Sequence, residues 1–530
     1  MSFIQRTIEP LLRNALEEVP AVFLNGPRQA GKTTLVRQIA KELSADYVTL
    51  DDISTYSNAA NDPNGFLRSF PGPVVIDEVQ LVRPLFRCIK QLIDEDRTSG
   101  GPQRNGRFLL TGSASIDVLP ELSDALVGRV RIINLYPFSV GEVVGKNEPV
   151  LPGLFDQVLF FQKGTPEGVQ LETAIHHATF PEISQSSWEQ KAQWFESYLT
   201  TAIHRDVRQL AEIEKISEIP NVLKVLARQP AGLLNDANCA NAVGLNAMTY
   251  RRYRTLLEQL FLIRRVPAWH VNIAKQVVKA HKLLFTDTTL LCHLLGKNMA
   301  TLHQQDPSLF GHVLENFVGS ELQKQLAMRP LSGKLFHFRT HDGKEVDFII
   351  ERGDGTILGI EVKSKTSLTS KDFAHLFFLK EQIKERFVRG IVFYLGQEIV
   401  PFGNGMVGMP FASLWNLNMD IELKKEMAFP TVSGLARESG GEPLHGMIRE
   451  GPGQRCIFKA KWGKNTHISC CVSSMVRDET VLYSENIEHS FKEKIRNGQF
   501  EPMKAGQFPA TDNVKAVVLR PEDFGPRDFR

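Results

Sequence analysis

One short segment near the N-terminus constrains the fold of this 530-residue chain more than any other. The segment has the spacing G-x-x-x-x-G-K-T, with an apolar run at 21–24 before it and an amphipathic pattern at 34–43 after it. Phosphate binding requires a buried strand that enters such a loop and a helix that leaves it. The sequence therefore predicts a phosphate-binding loop formed by Gly26, Pro27, Arg28, Gln29, Ala30, Gly31, Lys32 and Thr33.

The residue types in this loop predict how a nucleotide binds. Glycines let backbone N–H groups approach phosphate oxygens, and the helix N-terminus adds positive potential. Lys32 is expected to reach the β- and γ-phosphates, and the Thr33 hydroxyl to bind Mg²⁺. Thr34 completes the expected binding set, and the expected cofactors are ATP and Mg²⁺.

A second apolar run, Pro73–Ile76, ends in two adjacent carboxylates. Asp77 is expected to hold Mg²⁺ through water, and Glu78 to polarise the water that attacks the γ-phosphate. A strand that ends in two carboxylates is common by itself. Because this one follows a phosphate loop, it favours hydrolysis over nucleotide binding alone.

The next predicted strand, 107–111, ends in hydroxyl side chains. A polar residue there contacts the γ-phosphate or positions the attacking water, and Ser113 is preferred to Thr111 for this role. Arg129 follows a predicted helix at 119–127. It is expected to stabilise transition-state charge at a neighbouring subunit's nucleotide. The alternative is a helix-end cation that faces the helix macrodipole.

Strands and helices alternate through residues 1–149, which predicts an α/β fold with a parallel sheet covered by helices on both faces. At 530 residues the chain is too long for one hydrophobic core. The net charge of +2 is close to neutral, so any nucleic-acid surface must be local. No apolar run approaches the roughly 20 residues that span a bilayer, and a cytoplasmic protein without a membrane partner is expected.

Several motifs together resemble one prokaryotic group, the AAA+ superfamily ATPases that carry a C-terminal domain of unknown function with a restriction-endonuclease-like fold. The motifs lie at 24–35, 76–80, 110–113, 126–129 and 136–142, and the resemblance covers residues 1–412. It implies a helical lid after the ATPase core. Tyr198 and Arg205 resemble the family's Tyr…Arg-Asp pattern, which implies that Arg205 senses nucleotide. The lid departs from the family, because Ala178-Thr179 precede Phe180-Pro181 where Gly-Gly is usual.

Helical patterns at 221–228, 235–243 and 248–260 predict a winged helix-turn-helix. Lys275, Lys279, His281 and Lys282 are expected on its wing. Phosphate contact that does not depend on DNA sequence is what such a basic surface supports best, and the alternative is a domain that docks protein. The expected DNA contacts at the start of the third helix are Thr249, Tyr250, Arg251, Arg252 and Arg254.

A third constellation resembles the PD-(D/E)xK nuclease fold. Asp347 precedes a hairpin partner that ends Glu361-Val362-Lys363, and strand alternation places Glu361 and Lys363 on one face. Asp347 and Glu361 are expected to hold Mg²⁺, with Lys363 activating water and Glu315 as an accessory carboxylate. Grip on DNA without cleavage, and a plain salt bridge between Glu361 and Lys363, remain alternatives.

The predicted function is an ATPase that couples hydrolysis to work on duplex or branched DNA as a homo-oligomer, with a hexamer as the expected ring. An ATP-regulated nuclease and a nucleotide switch that ignores DNA are the alternatives. The predicted domains are an ATPase core (1–149), a lid (150–215), a winged helix (216–304), a nuclease-like domain (305–412), a linker (413–453) and a small α+β module (454–530). The last module is predicted to contain strands at 455–461, 467–472 and 514–519 and a helix at 487–497.

Overall fold

The structure is a computed structural model that forms two compact units, residues 1–152 with 166–416 and residues 153–165 with 417–530. Helices and strands are numbered below in chain order. The residues described are 4–98, 105–113, 128–155, 161–162, 170–210, 216–270, 280–328, 333–417, 447–448, 457–462, 466–471, 476–477 and 480–481.

A five-stranded parallel sheet with the order β2-β3-β4-β1-β5 forms the centre of the N-terminal part. This confirms the predicted parallel sheet. Because all strands run the same way, the turns that follow β1, β3 and β4 lie at one edge. The strands are β1 (Ala21–Asn25), β2 (Asp46–Thr49), β3 (Val74–Asp77), β4 (Phe108–Gly112) and β5 (Val130–Asn134).

Helices cover both faces of this sheet. One hydrophobic cluster joins Leu12 and Leu35 to Val22, and the other joins Phe86 and Ile89 to β-strand side chains on the opposite face. Burial of these apolar side chains on both faces is the main force that holds the domain together. The helices are α1 (Glu9–Glu18), α2 (Lys32–Glu42), α3 (Ile53–Asn61), α4 (Pro63–Arg68) and α5 (Pro84–Thr98).

The sequence prediction did not include α3 and α4, although both carry capping signals. Asp52 Oδ1 accepts the Thr55 N–H at 2.8 Å, and Asp62 Oδ1 accepts the Gly65 N–H at 2.9 Å. Each carboxylate satisfies an N–H group that has no acceptor within its helix.

A helical region follows the sheet. Trp194 and Tyr198 stack at 4.9 Å between ring centroids, and Phe195 is fully buried, as expected for core aromatics. The strands β7 and β8 form a two-stranded antiparallel sheet that follows helices in the region predicted as a winged helix-turn-helix. The elements are α6 (Val140–Val143), α7 (Leu151–Leu154), α8 (Leu171–His177), α9 (Trp188–Leu210), α10 (Ile219–Ala227), α11 (Asp236–Ala242), α12 (Ala247–Gln259), β7 (Ile263–Val266), β8 (Lys282–Phe285), α13 (Thr288–Leu295) and α14 (Met299–Gln305).

A six-stranded mixed sheet with the order β13-β14-β12-β11-β10-β9 completes the first unit. Strands β9, β10 and β11 pair antiparallel, whereas β11, β12 and β14 pair parallel. The elements are α15 (Pro307–Met328), β9 (Gly333–Arg339), β10 (Glu345–Arg352), β11 (Ile357–Lys363), α16 (Ala374–Ile383), β12 (Phe387–Tyr394), β13 (Val400–Gly403) and β14 (Met406–Pro410).

The second unit contains two small sheets, ordered β15-β16-β17 and β18-β19-β6. Strands β16 and β17 overlap the strands predicted at 455–461 and 467–472, and β15 lies inside the predicted linker. The predicted helix at 487–497 and strand at 514–519 lie outside the described residues. The strands are β6 (Phe161–Gln162), β15 (Met447–Ile448), β16 (Ile457–Trp462), β17 (Thr466–Cys471), β18 (Val476–Arg477) and β19 (Thr480–Val481).

Candidate functional site

The predicted phosphate loop connects β1 to α2, as its spacing requires. Gly31, directly before the helix, has a φ of 93°, which a residue with a side chain rarely adopts. The first N–H groups of α2 have no acceptors within the helix and point toward the loop. Lys32 is buried, and its Nζ donates to the carbonyl oxygens of Gly26 and Pro27, both at 2.8 Å. The loop therefore forms a cradle with positive charge on its inner side.

Gly26 lies where β1 turns into the loop, directly against the end of β5. A Cβ atom on Gly26 would lie 2.1 Å from the Leu135 carbonyl oxygen. Leu135 cannot move away easily because its N–H donates to the Asn25 carbonyl at 2.7 Å. The entry to the loop therefore requires glycine for steric reasons.

Asp77, at the end of β3, accepts hydrogen bonds from three hydroxyl groups, one of which belongs to the phosphate loop. Its Oδ2 accepts hydrogen bonds from Thr33 Oγ1 and from the Tyr47 hydroxyl, both at 2.8 Å. Its Oδ1 accepts the Thr111 hydroxyl. Burial, and then the hydrogen bond to Asp77, raises the pKa of Tyr47 to about 12, so this phenol stays a donor.

The donor set at Asp77 fits a Mg²⁺ ion bound with a nucleotide. Thr33 and Asp77 supply hard oxygen ligands 2.8 Å apart beside the phosphate loop. Mg²⁺ prefers such oxygen ligands, with substrate phosphates and water completing its shell. Thr33 and Asp77 are the residues that would hold this ion.

Glu78 faces a different direction from its neighbour Asp77. It has a φ of 60°, a left-handed conformation that is uncommon for a residue with a side chain. Its N–H donates to Thr111 Oγ1 at 3.0 Å, and its Oε2 accepts the Ser113 hydroxyl at 3.0 Å. Gln80 Nε2 also donates to Glu78 Oε2. The sharp turn thus separates the carboxylate beside Thr33 from the carboxylate beside Ser113.

Arg129 lies at the opposite edge of the sheet from the phosphate loop, since Val130 at the start of β5 aligns with Ala21 at the start of β1. Its Nε and Nη2 donate to the two carboxylate oxygens of Asp94 at 2.7 and 3.0 Å. This hydrogen-bonded arginine holds the pKa of Asp94 below its usual range. Arg129 is therefore remote from the loop of its own chain. The predicted helix at 119–127 lies outside the described residues.

The Phe180-Pro181 turn, in the region predicted as a lid, lies beside the phosphate loop. A Cβ atom on Gly31 would lie 3.6 Å from Pro181 Cγ. The preceding Thr179 is buried and donates its hydroxyl to Asp287 Oδ2 at 2.7 Å. Thr179, which stands where the family usually has glycine, thus makes a buried hydrogen bond that glycine could not make. Arg205 lies on α9, but its side chain is outside the described part of the structure.

Helix α12, predicted as the third helix of a winged helix-turn-helix, divides the predicted DNA contacts between two faces. Tyr250 is fully buried, and Arg254 is 6% exposed and ion-paired with Glu258 at 3.1 Å. The expectation that these two side chains meet DNA is wrong, because they form the internal face of the helix. Arg251 and Arg252 are exposed, and Thr249 is partly exposed.

The structure brings the predicted nuclease-like residues together around a group of buried and half-buried carboxylates. Asp347 Oδ2 accepts the Val362 N–H at 2.8 Å, and Lys363 Nζ donates to Glu361 Oε2 at 2.7 Å. Burial, and then the neighbouring Asp347 carboxylate, raises the pKa of both Glu315 and Glu361. We call Glu315, Glu345, Asp347 and Glu361 the acidic cluster.

Lys282 was expected on an exposed wing, and this expectation is wrong. Its side chain is 1% exposed, and its Nζ contacts Glu315 Oε1, with Glu345 Oε1 at 3.3 Å and Asp347 Oδ1 at 3.5 Å. Burial opposes its charge, yet these carboxylates hold the pKa of Lys282 above its ordinary value. Of the other wing residues, His281 is partly exposed, and Lys275 and Lys279 lie outside the described residues.

A Mg²⁺ ion does not fit the acidic cluster as the structure arranges it. Within the described ranges, no three His, Cys, Asp or Glu side chains are placed to hold a metal ion. The Lys282 ammonium lies among the oxygens that would have to converge on the ion.

Comparison with known proteins gives the family. Residues 18–144 match the model of an AAA domain, and residues 169–301 and 310–414 match two domains of unknown function, DUF8612 and DUF4143. Uncharacterized proteins of Mycobacterium tuberculosis and Mycobacterium bovis are each 30% identical over 400 residues, which are 75% of this chain and 82% of theirs. This chain belongs to their family. Its AAA domain is a P-loop ATPase domain of the AAA+ type.

Two solved structures resemble the chain at low sequence identity. A Walker-type ATPase of Pyrococcus abyssi has 14% identity and a TM-score of 0.33, covering 55% of this chain and 96% of that one. The RuvB Holliday junction branch migration motor of Thermotoga maritima has 19% identity and a TM-score of 0.26, covering 49% and 89%.

Sequence reasoning missed several residues that contact the site in the AAA domain. Gln80 could have been recognised from the sequence, because it lies two positions after Glu78. Tyr47 lies on the strand beside Asp77, where alternation with Thr49 gave a weak signal. Arg6 donates to the Ala30 carbonyl at 2.7 Å, and nothing in the local sequence around Arg6 indicates this contact.

In the described part of the chain, no helix is both long enough and apolar enough to cross a membrane.

Proposed function

We propose that this chain is an ATP-hydrolysing AAA+ ATPase that couples hydrolysis to work on DNA as a homo-oligomer. The observation that carries the proposal is that the two adjacent carboxylates at the end of β3 have different contacts. Asp77 contacts Thr33 beside the phosphate loop, and Glu78 contacts Ser113 away from it. This separation supports a role for Asp77 at the metal and a role for Glu78 at the attacking water.

Each site residue of the AAA domain has a defined role in this proposal. The phosphate loop and the first turn of α2 bind and orient the phosphates, and Lys32 turns from the loop carbonyls toward them. Thr33 and Asp77 would hold Mg²⁺, which neutralises phosphate charge. Glu78 accepts a proton from the attacking water, and Ser113 orients the Glu78 carboxylate.

Arg129 acts between subunits in this proposal. Its distance from the loop of its own chain supports a role at a neighbour's nucleotide, where its charge stabilises the transition state. Asp94 holds the guanidinium in place until a neighbour binds, because the pair is bidentate. A ring then forms, and a hexamer is the assembly we propose.

DNA would meet the exposed face of α12. Met248 on this face is 83% exposed, and Arg251 and Arg252 beside it are exposed. Two arginines on the outer face of the third helix of such a module are suited to phosphate contact. They support a grip on duplex or branched DNA, which a translocase or branch-migration motor would need.

The test is the steady-state ATPase rate with and without single-stranded, duplex and four-way-junction DNA. We expect at least one DNA form to stimulate the wild type, and Glu78→Gln to lower the rate by roughly 10²- to 10⁴-fold. Arg251→Ala/Arg252→Ala should lose the stimulation and keep the basal rate.

A charge-matched control separates DNA contact from a change in net charge. Arg83→Ala/Arg87→Ala removes two exposed positive charges from the AAA domain, one directly before α5 and one on it, and should keep the stimulation. If no DNA form stimulates the wild type, the motor proposal is refuted, and a nucleotide switch that ignores DNA takes its place.

A further inference from the structure

A lysine from outside the DUF4143 region occupies the acidic cluster. Lys282 is the first residue of β8, and its ammonium lies within 3.5 Å of oxygens from Glu345 and Asp347 and in contact with Glu315. The three carboxylates come from α15 and β10, so one cation joins three separate points of the nuclease-like fold. This contact has no counterpart among the residues that the D…E-x-K pattern includes.

Hydrogen bonds between β8 and α15 hold Lys282 in this position. Asn316 is fully buried, its Oδ1 accepts the Phe285 N–H at 2.7 Å, and its Nδ2 donates to the Phe285 carbonyl at 3.2 Å. Asn316 is the neighbour of Glu315 on α15. Both ends of β8 are therefore fixed to the same turn of α15, and the lysine is held by the backbone as well as by charge.

The geometry leaves no room for a second cation at the same point. A divalent metal binds carboxylate oxygens at roughly 2.0–2.6 Å, and it must lie between the oxygens that it joins. The ammonium already lies between oxygens of Glu315, Glu345 and Asp347. The remaining member, Glu361, pairs with Lys363 at 2.7 Å.

The energetics favour retention of the lysine. A buried ammonium without partners, or a group of half-buried carboxylates without a cation, would destabilise the folded chain. Because the buried Lys282 ammonium lies among three half-buried carboxylates, its loss would have to be compensated by another cation. The cluster therefore requires a positive charge, and the chain supplies it.

We propose that Lys282 is a built-in cation that takes the place of a divalent metal in the acidic cluster. The cluster is then a metal-independent joint between the wing strand and the nuclease-like domain, and it does not cut DNA with Mg²⁺. This inference is independent of ATP hydrolysis and of DNA contact at α12.

The experiment counts Mn²⁺ bound to the full-length chain without nucleotide, by electron paramagnetic resonance of free Mn²⁺. Wild type and Asp347→Asn should bind equal numbers of ions, because the cluster holds none. Lys282→Met keeps the apolar stem of the lysine and should gain one bound ion per chain. Lys282→Met/Asp347→Asn should lose that ion again.

Lys324→Met is the matched control. Lys324 is equally buried and pairs with Glu321 on the same helix at 2.9 Å, but it lies outside the acidic cluster. Its loss should add no bound ion. A thermal shift gives a second readout, since Mn²⁺ should raise the Tm of Lys282→Met by more than it raises that of Lys324→Met or of the wild type.

Two results would overturn the inference. One is a wild-type chain that binds one more Mn²⁺ than Asp347→Asn, since the lysine would then yield to a metal. The other is a folded Lys282→Met chain, with wild-type circular dichroism, that gains no ion. The first comparison decides the matter even if Lys282→Met does not fold, because neither of its chains changes Lys282.

Discussion

Gln80 donates its side-chain amide to Glu78 Oε2, the same oxygen that accepts the Ser113 hydroxyl at 3.0 Å. Gln80 Nε2 also lies 3.2 Å from Ser113 Oγ, so the three side chains form a closed group. Two donors on one oxygen hold the Glu78 carboxylate in a single position and occupy the atom that would accept a proton from water. The proposed base is therefore restrained in the structure, and Gln80 is the residue that restrains it.

Removal of the Gln80 amide should raise basal ATP hydrolysis. Gln80→Leu removes one of the two described side-chain donors to Glu78 Oε2, the other being Ser113. We expect the DNA-free rate to rise by about threefold or more, because one hydrogen bond fewer then competes with the attacking water for this oxygen. The measurement is steady-state phosphate release. Gln91→Leu, on the exposed face of α5, is the control and should change nothing. A fall in rate would instead mean that Gln80 positions Glu78 for catalysis.

Gly26→Ala should abolish nucleotide binding. The new methyl group would lie 2.1 Å from the Leu135 carbonyl oxygen, a backbone atom held by its neighbours, so the loop must move. Gly72→Ala is the control, because nothing lies within 4 Å of a Cβ atom at that position. Binding of a fluorescent ATP analogue measures both. Wild-type affinity in Gly26→Ala would show that the loop tolerates the displacement.

Arg6 and Glu142 should be strongly coupled in stability. Arg6 Nε donates to Glu142 Oε1 at 2.9 Å, and both side chains are buried. Arg6→Met leaves a buried carboxylate without its cation, at a cost of about 3–5 kcal/mol in the free energy of unfolding. Arg6→Met/Glu142→Met should recover much of that loss.

The measurement is a double-mutant cycle for Arg6 and Glu142. It compares urea unfolding of the wild type, both single variants and the double variant. The probe should report the AAA domain, because a chain with several domains need not unfold in one step. Strictly additive effects would mean that the two residues stabilise the domain independently.

The sequence predicted the AAA domain well because its signals are local. The phosphate loop, the strand before it and the helix after it are adjacent in the chain, and each of β1, β3 and β4 is an unbroken apolar run. The strand ends then meet at one edge because parallel strands must place them there. Thr33 and Asp77 could thus be paired without coordinates.

Residues that depend on distant partners could not be predicted in the same way. Lys282 was assigned to a wing from its basic neighbours, whereas Glu315 and Asp347, which bury it, are far along the chain. The error at α12 was avoidable. Tyr250, Tyr253, Arg254 and Leu257 follow the i, i+3, i+4, i+7 spacing of one helix face, and all four are buried.

Lys191 should make stability depend on pH above neutrality. Its side chain is fully buried, and its Nζ donates to the Ser184 carbonyl at 3.1 Å and to the His176 carbonyl. Burial lowers the pKa of Lys191 from 10.5 to about 8, although the Asp287 charge partly opposes the shift. Between these two values the unfolded chain binds more protons than the folded chain, so stability rises with pH in this window.

The Lys191 contribution can be isolated by comparison with Lys191→Met. The pKa change corresponds to about 3 kcal/mol in favour of the wild type, gained between pH 8 and 10.5 and absent below pH 8. We expect the Tm of the wild type minus that of Lys191→Met to change little between pH 7 and pH 8 and to increase from pH 8 to pH 10. Lys224→Met, which removes an exposed lysine, should give a nearly constant difference. A constant difference for Lys191→Met as well would mean that the carbonyls of His176 and Ser184 replace the lost hydration of the ammonium completely.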